Sequence, residues 1–314
     1  MPQLNVLSDI LGVTAPVFAM VFMGLLLRKA RLINDAFIQT ASTLTYKATM
    51  PTLFFLSIWQ ADLQTAFNAT LVAFFCTATV VGFLASWWWA THAIPYSQRG
   101  VFVQGAFRGN CGVVSFALVA SYYGAYGLSV GGVLVGFTIL LFNMLSVLIL
   151  SIYSPTLKFS PVSVVKELLK NPLIIAVVLG MLASAVKLSI PQWLLKSGEY
   201  FAGLTLPLAL ICVGGTLSLA GLKASGLSAL QSSAIKIAIL PVLACTLAWA
   251  IGIHGRDLII LWMFFSSPTA AASFAMAVAA GGDGKLAANI IALTTLVSIG
   301  TMTLGIYTLT ALGH

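Results

Sequence analysis

The two halves of this chain repeat one another. Residues of the same kind recur about half a chain apart, at offsets of 156 to 158 positions. The matches pair Pro16, Gly24, Arg31, Leu32 and Pro51 with Pro172, Gly180, Lys187, Leu188 and Pro207, and Ser115, Phe116, Ala117, Leu118 and Gly124 with Ser273, Phe274, Ala275, Met276 and Gly282. Because proline, glycine and basic residues all keep this register, the sequence predicts two copies of one structural unit.

The composition requires most of the protein surface to face lipid. Apolar residues make up 60% of the 314 residues and charged residues only 7%, whereas soluble domains carry about 25% charged residues. The apolar runs are continuous and not alternating, which favours helices over a β-barrel. We therefore expect an all-α polytopic membrane protein with about ten transmembrane helices, since a span needs about 20 residues. The predicted spans are 8–28, 37–59, 67–90, 99–122, 128–153, 171–188, 198–220, 226–251, 257–281 and 286–311.

The positions of lysine and arginine between the spans predict the orientation. The polar stretch 154–170 is interpreted as a cytoplasmic linker between a first repeat, 1–153, and a second repeat, 171–314. Cytoplasmic loops carry an excess of basic residues. With the linker inside, nine basic residues lie on its side of the membrane and three on the other: Arg28, Lys29, Arg31, Arg99, Lys158, Lys166, Lys170, Lys223 and Lys285 against Lys187, Lys196 and Arg256. We expect a multi-pass protein of the cytoplasmic (inner) membrane with both termini on the non-cytoplasmic side.

Five spans per half is an odd number, so the two halves would insert in opposite orientations. Inverted repeats of this kind are typical of secondary transporters, which bind their substrate near the membrane midplane where helices are interrupted. The net charge of +8 does not indicate nucleic-acid binding, because the basic residues form no patch.

The sequence lacks the residue patterns of an enzyme or a metal protein. The four cysteines are isolated inside predicted spans, without the spacing of a zinc site, and no phosphate-binding GxxxxGK[ST] motif occurs. The three histidines lie near span ends or at the last residue, where a buried catalytic triad is excluded. We expect no enzyme activity, no metal and no cofactor.

Two predicted spans contain residues that interrupt a helix. The fourth span reads QGAFRGNCG at its middle, residues 104–112, and the ninth reads FFSSPT, residues 264–269. Glycine is a poor helix former, and proline removes a backbone donor. The 158-residue offset aligns Arg108, Asn110 and Cys111 with Ser266, Pro268 and Thr269. Since unwound backbone at membrane depth is tolerated only in protein or beside a cavity, this pairing predicts a binding centre.

The charges inside the predicted spans are all positive. Arg108, Lys47 and Lys236 lie near the middle of their spans, and for each lysine a structural role is the alternative. All seven acidic residues fall in loops or at span ends. Because a buried charge is costly, basic groups without acidic partners indicate a negatively charged substrate.

Several segments resemble the auxin efflux carrier family, and the resemblance covers the whole chain. They are Ala15–Pro16 with Gly24 and Arg28–Lys29, Met50–Pro51 with Leu53–Phe55, Gly105–Asn110, Asn171–Ile174, Leu206–Leu210 with Gly214–Leu217, and Pro268 with Ser273 and Met276. The family includes plant PIN carriers and bacterial malate and malonate permeases.

The resemblance implies two inverted five-helix repeats in which helices 4 and 9 are broken and cross. It also implies a scaffold of helices 1, 2, 6 and 7, often forming a homodimer, and a mobile transport domain of helices 3–5 and 8–10 that moves like an elevator. Plant members carry proline and asparagine at both breaks, whereas this chain has Asn110 without proline and Pro268 followed by Thr269. This difference and the short linker argue for a compact bacterial-type carrier and against auxin as substrate.

These observations predict a carrier of a small organic anion, such as a carboxylate. The candidate substrate-binding residues are Arg108, Asn110, Cys111, Ser266, Ser267, Pro268 and Thr269, with Lys47 and Asn143 as weaker candidates. Two alternatives remain: a sodium-coupled organic-anion symporter of the bile-acid type, and a membrane sensor that binds an anion without moving it.

Overall fold

A computed structural model describes residues 2–60, 68–154, 170–217 and 226–313. Most of the predicted linker 154–170, including Lys158, Lys166 and Glu167, lies outside the described residues. Asp62 and Lys223 also lie outside the described residues. The structure therefore does not show where the basic residues Lys158, Lys166 and Lys223, which were counted for the orientation, are placed.

The described chain is helical, and it contains no β-strand beyond one isolated bridge. The helices are α1 Pro2–Lys29, α2 Asp35–Leu44, α3 Met50–Trp59, α4 Ala69–Ala93, α5 Tyr96–Phe107, α6 Phe116–Tyr153, α7 Pro172–Ala185, α8 Gln192–Gly203, α9 Thr205–Thr216, α10 Leu227–Ala234, α11 Leu240–Ala250, α12 Gly255–Phe265, α13 Ala272–Ala279 and α14 Gly284–Ala311. Three π-helical turns, Thr45–Thr49, Cys111–Ser115 and Ile235–Ile239, connect some of them.

Six helical segments are long and apolar enough to cross a membrane, counted over the described residues. They are Ile10–Lys29, Ala69–Ala93, Cys111–Tyr153, Gln192–Thr216, Leu227–Ala250 and Gly284–Ala311. The protein is therefore an all-helical protein with several candidate membrane spans. Helix α7 is apolar but shorter, with 14 residues.

Polar side chains near the predicted span starts cap the N-termini of several helices. Asn34 and Asn68 accept hydrogen bonds from the backbone N–H groups of Phe37 and Leu71, at 2.9 and 3.1 Å. Asp283 accepts from the N–H of Leu286 at 2.9 Å. These N-caps satisfy backbone donors that have no acceptor inside the helix.

Helix α6 folds back on itself, and the loop predicted between residues 122 and 128 is a single-residue kink. Gly124 has φ 55° and ψ −130°, a conformation that glycine adopts without a steric cost. Beyond it, a Cβ on Gly127 would overlap the Val119 carbonyl, and one on Gly131 would lie 3.2 Å from the Phe116 ring. The two arms of α6 therefore pack against each other as a tight hairpin.

The first helix of each sequence half packs against the second helix of the other half. Gly24 of α1 lies so close to Ile211 of α9 that a Cβ would overlap the Ile211 carbonyl. A Cβ on Gly180 of α7 would lie 3.1 Å from the Phe55 carbonyl oxygen of α3. The two glycines are 156 residues apart, and so are Phe55 and Ile211, so the two contacts involve matching positions.

The ends of α1 and α7 also match. Arg31 and Lys187 have φ 61° and 51°, and they are the non-glycine residues with positive φ in the described chain. In both places the next N–H bonds back five residues, from Leu32 to the Leu27 carbonyl and from Leu188 to the Ala183 carbonyl, each at 2.9 Å. A left-handed residue that closes a helix in this way is normally glycine.

Two of the π-helical turns precede prolines. Thr45–Thr49 runs into Met50–Pro51, and Ile235–Ile239 runs into Leu240–Pro241. Proline has no N–H and its ring clashes with the carbonyl four residues earlier. A wider turn with hydrogen bonds to the fifth residue accommodates this, and it allows the helices to continue through the proline.

Candidate functional site

Both helices predicted to be interrupted are interrupted in the structure. Helix α5 ends at Phe107, and helical structure resumes with the π-helical turn that begins at Cys111. Helix α12 ends at Phe265, and α13 begins at Ala272. The gaps fall at the glycines, the asparagine and the proline that the sequence analysis identified.

The two interruptions are joined by backbone hydrogen bonds. Gly109 and Thr269 form an antiparallel β-bridge. The N–H of Asn110 donates to the Pro268 carbonyl at 2.7 Å, and the N–H of Ala270 donates to the Arg108 carbonyl at 3.3 Å. Backbone groups that lose their helical partners at the two breaks thus satisfy each other, as a low-dielectric interior requires.

The hydroxyl groups of the second interruption bond within their own helix or, at Thr269, across the junction. Thr269 donates from Oγ1 to the Gly105 carbonyl at 2.8 Å, and its N–H donates to Thr294 Oγ1 at 3.0 Å. Ser266 Oγ donates to the Trp262 carbonyl, and Ser267 Oγ donates to the Phe264 carbonyl at 2.9 Å. These three side chains therefore bond to backbone carbonyls.

Gly109 lies at the closest point of the junction. A Cβ at this position would overlap Ser267 Oγ, and it would lie 3.1 Å from Cys111 Sγ and 3.2 Å from Lys236 Nζ. Only glycine fits between the two breaks without displacing these groups.

Arg108 is buried, with 8% of its surface exposed, and it bonds only to neutral groups within the described residues. Its Nη1 donates to Ser146 Oγ at 2.9 Å and to the Phe142 carbonyl at 3.3 Å, and Nη2 donates to Asn143 Oδ1 at 2.9 Å. Nε is buried without a hydrogen-bond partner there. The guanidinium therefore keeps unused donor capacity and an uncompensated positive charge.

Lys236 is the second buried cation, with 1% of its surface exposed. It lies in the π-helical turn Ile235–Ile239, and Nζ donates to the Phe265 carbonyl at the end of α12. The buried charged side chains of the described chain are Arg108 and Lys236, and neither forms a salt bridge there.

A cavity of about 430 Å³ adjoins the junction. Its polar wall includes Arg108, Asn110, Thr45 and Tyr46, and much of the rest is apolar. The first turns of both continuing segments also reach it, at Gly112 and Val113 on one side and at Ala271, Ala272 and Ala275 on the other. This volume lies in the usual range for small-molecule sites.

The structure brings some of the predicted site residues to this cavity and places others elsewhere. Arg108, Asn110 and Cys111 line it. Ser266, Ser267, Pro268 and Thr269 belong to the junction and are not among the lining residues. The hydroxyl groups of the first two and of Thr269 donate to backbone carbonyls. Asn143 reaches the site indirectly, as an acceptor for Arg108. Lys47 has an exposed side chain and does not line the cavity.

Sequence reasoning left out the alanines that form the second wall and did not include Lys236 among the candidate site residues. A run of small residues directly after a helix-breaking proline was the available signal for the alanines. For Lys236 the available signal was its position near the middle of a span, five residues before a proline. Lys47 has a similar position, four residues before a proline.

The described residues contain no cluster of three or more His, Cys, Asp or Glu side chains that could hold a metal ion.

Asn110 is 9% exposed, and the described part of the chain gives its side-chain amide no hydrogen-bond partner. The cavity therefore offers a cation, an amide and helix N-termini to a small ligand.

Comparison with known proteins supports this description. An uncharacterized transporter from Methanothermobacter thermautotrophicus is 22% identical over 296 residues, covering 92% of this chain and 94% of that protein. The family described as membrane transport protein matches residues 9–306, almost the whole chain. The chain therefore belongs to the membrane transport protein family, that of the auxin efflux carriers, and is a transporter and not an enzyme.

Proposed function

We propose that this transporter carries a small organic anion, such as a carboxylate, and that the anion binds in the cavity beside Arg108. The observation that carries the proposal is the charge of the region. Two buried cations flank the junction, and neither has an acidic partner in the described chain. A desolvated charge is costly without an opposite charge, so an anionic substrate supplies the missing partner.

The hydrogen bonds of Arg108 explain how a carboxylate would be held. A guanidinium has five N–H donors, and the described contacts use three of them. The remaining donors are on Nε and Nη2, which form one edge of the guanidinium, and because Nε is buried in the described structure we propose that the Arg108 side chain turns this edge toward the ligand on binding. Two parallel N–H groups on one edge match the two oxygens of a carboxylate. The amide of Asn110 also lines the cavity and offers a further donor.

The helix ends add a favourable field for an anion. The first backbone N–H groups of a helix have no acceptor within it and carry a partial positive charge. Gly112 and Ala272, at the starts of the two continuing segments, both lie in the cavity wall. An anion between them interacts with both ends.

The membrane arrangement that we propose has ten spans in two inverted halves. The segment Cys111–Tyr153 has 43 residues, about 65 Å at 1.5 Å per residue, which is twice the hydrocarbon thickness of about 30 Å. The hairpin at Gly124 turns it into two spans. In this arrangement α1, α3, α7 and α9 belong to the scaffold, and the segments carrying the junction belong to an elevator-type transport domain.

A two-step experiment tests the function. Purified protein is first screened with small carboxylates by thermal unfolding, since a ligand stabilises the folded state. The most stabilising compound is then radiolabelled and used for uptake into proteoliposomes by wild type and by Arg108→Met. We expect uptake to fall by roughly tenfold to a hundredfold, because a hydrogen bond to a charged group contributes about 1.5–3 kcal/mol.

The matched control is Arg256→Met, which removes an arginine that lies over the Tyr126 ring, 5.6 Å from its centroid, and does not line the cavity. Its uptake should equal that of wild type. Wild-type uptake in the Arg108→Met variant would remove Arg108 from the site, and stabilisation by neutral solutes alone would contradict an anionic substrate.

A further inference from the structure

The two interrupted helices are also alike at their starts, far from the junction. The third residue of α5 is Gln98, and the third residue of α12 is Asp257. Each of these side chains is hydrogen-bonded to two helix starts that belong to the other half of the sequence. We call the two groups the α12 clamp, formed by Asn68, Tyr126 and Asp257, and the α5 clamp, formed by Gln98, Ser228 and Asp283.

The α12 clamp is built around a carboxylate. Asp257 Oδ2 accepts from Asn68 Nδ2 at 2.7 Å, and Oδ1 accepts from the Tyr126 hydroxyl at 3.3 Å. Asn68 is also the N-cap of α4, where its Oδ1 accepts from the Leu71 N–H at 3.1 Å. Tyr126 lies at the start of the second arm of α6, two residues after Gly124. The start of α12 is thus bonded to two helix starts of the first half.

In the α5 clamp the amide and the carboxylate exchange places. Gln98 Nε2 donates to Asp283 Oδ2 at 3.2 Å, and Gln98 Oε1 accepts from Ser228 Oγ at 2.8 Å. Ser228 is the second residue of α10. Asp283 is the N-cap of α14, and its other oxygen accepts from the Leu286 N–H. In each clamp, therefore, an N-cap side chain caps its own helix with one atom and holds an interrupted helix with the other.

Helix α5 stays in register with α10 from its clamp to its break. Ser228 bonds to Gln98, and Ser232, one turn later, donates to the Phe102 carbonyl at 2.9 Å. Both pairs are 130 residues apart. Close to the break, a Cβ on Gly105 would lie 2.9 Å from Ser232 Oγ. The two helices are therefore in close contact over the whole distance.

Helix α12 keeps the same kind of register with α4. Asn68 and Asp257 are 189 residues apart, and so are Phe75 and Phe264, whose ring centroids are 5.8 Å apart. The Phe75 ring also lies 4.7 Å from the ring of Phe265, the last residue of α12. Closely packed side chains interdigitate and transmit a displacement along the helix. A shift at either clamp would therefore move the break at the other end of the same helix.

We propose that Gln98 and Asp257 are positioning residues for the transport site, because they fix the depth at which the two breaks meet and thereby the position of Arg108 in the cavity wall. Gln98 is ten residues before Arg108, about 15 Å along a helix. Asp257 is nine residues before Ser266, where the second break begins. The proposal rests on the proposed function for the role of the cavity, whereas the closeness of the two breaks does not depend on the substrate.

Paired substitutions test each clamp by reversing its hydrogen bond. Asn68→Asp keeps an N-cap on α4 but places two carboxylates together, and like charges repel. Adding Asp257→Asn supplies an N–H donor again and leaves an oxygen to accept from Tyr126. In the α5 clamp, Gln98→Glu breaks the bond to Asp283 in the same way. Adding Asp283→Asn restores that bond and keeps an N-cap on α14.

Hydrogen–deuterium exchange of the full-length purified protein measures the effect without any substrate. The N–H groups of Asn110 and Ala270 join the two breaks, so their exchange reports how well the breaks meet. Asn68→Asp and Gln98→Glu should each raise the exchange rate in peptides that cover the junction by about tenfold. Each double variant should return to the wild-type rate.

Asn34→Asp is the matched control, since Asn34 caps α2 and belongs to neither clamp. It should exchange at the junction as wild type does. A rise confined to the first turns of α5 or α12, or double variants that exchange as fast as the single ones, would overturn the proposal. If the variants with added carboxylates do not fold, Ser228→Ala and Tyr126→Phe each remove one donor from a clamp. Unchanged exchange at the junction in both would then overturn it.

Uptake distinguishes this proposal from the proposed function. With the carboxylate selected by thermal unfolding, each single variant should raise KM by about threefold to tenfold, and its double variant should restore it. A wild-type KM in a variant with faster exchange at the junction would contradict the link between the clamps and Arg108. If no carboxylate is transported, the proposed function fails, and exchange at the junction still decides whether the clamps position the breaks.

Discussion

The two helix interruptions occupy matching places in the repeat but have different chemistry. The first, at Arg108–Asn110, presents a guanidinium and an amide to the cavity. The second, at Ser266–Ala271, bonds its hydroxyls to backbone carbonyls and presents alanines to the cavity. The two interruptions are thus alike in their broken backbone, but the first presents polar groups to the cavity and the second joins the first through Thr269.

The difference explains why a polar residue at a break is not by itself a binding residue. A hydroxyl group can satisfy a carbonyl in the same or the neighbouring helix, and in a dry interior this removes a large penalty. A guanidinium has too many donors for one carbonyl, so part of it remains available. The first break should therefore control transport and the second should control stability.

The largest effect is expected at Gly109, where the two breaks touch. Gly109→Ala places a methyl group on Ser267 Oγ, which should destabilise the protein by about 1–3 kcal/mol, as overpacking does, and should reduce uptake by separating the breaks. Thermal unfolding and proteoliposome uptake measure the two effects. The double variant Gly109→Ala with Ser267→Ala should recover part of the loss, since the two side chains occupy one space.

Gly132→Ala is the control for this change. Gly132 is also buried in α6, but a Cβ there would lie 3.8 Å from the nearest atom, which is an ordinary contact. It should leave stability and uptake unchanged or raise stability slightly, because alanine favours a helix. A Gly109→Ala protein as stable as Gly132→Ala would contradict the described closeness of the two breaks.

A pair of substitutions compares the breaks directly. Asn110→Ala should lower uptake by about two- to tenfold, the effect of a neutral hydrogen bond, with little change in unfolding temperature. Thr269→Val should lower the unfolding temperature and leave uptake almost unchanged. It removes the donor to the Gly105 carbonyl, and an unpaired buried carbonyl costs about 1–3 kcal/mol. If Thr269→Val lost uptake at unchanged stability, the division of roles between the breaks would be wrong.

The smallest effect is expected at the matched helix ends. Arg31 and Lys187 each hold a left-handed conformation, which costs other residues about 1–2 kcal/mol relative to glycine. Arg31→Gly and Lys187→Gly should each raise the free energy of unfolding by about 1 kcal/mol or less, after the entropy of glycine is subtracted. Arg31→Ala and Lys187→Ala remove the charge but keep a Cβ, so they show how much of the glycine effect comes from the lost charge and how much from the backbone conformation. If the glycine substitutions changed the free energy of unfolding by different amounts, the surroundings of the two helix ends would differ despite their matching backbone conformations.

The sequence predicted the helical fold, the two interruptions and the burial of Arg108 correctly. Proline and glycine interrupt a helix where they stand, and a scarcity of charged residues marks a segment as buried or in lipid. These effects depend on the local sequence, so they can be predicted from it. The roles of Ser267, Thr269 and Lys47 could not be read in this way. Whether a hydroxyl bonds to a carbonyl or faces a cavity, and whether a lysine faces inward or outward, depends on helix rotation and on neighbours far away in the chain.

Lys47 and Lys236 illustrate this limit. Both lie in π-helical turns just before a proline, and both are near the middle of a predicted span. One is exposed and the other is completely enclosed. The local sequence around them is similar, so only the packing of the Lys236 turn against α5 and the junction distinguishes them.

The glycine contacts between α1 and α9, and between α7 and α3, have a consequence for how such a molecule arises. The first helix of each half packs against a helix of the other half, so these contacts tie the two halves of the chain together. A substitution at Gly24 is felt in the second half of the chain, and one at Gly180 in the first. In the two-repeat arrangement that we propose, a half expressed alone would therefore need a second half-length chain to complete the same frame.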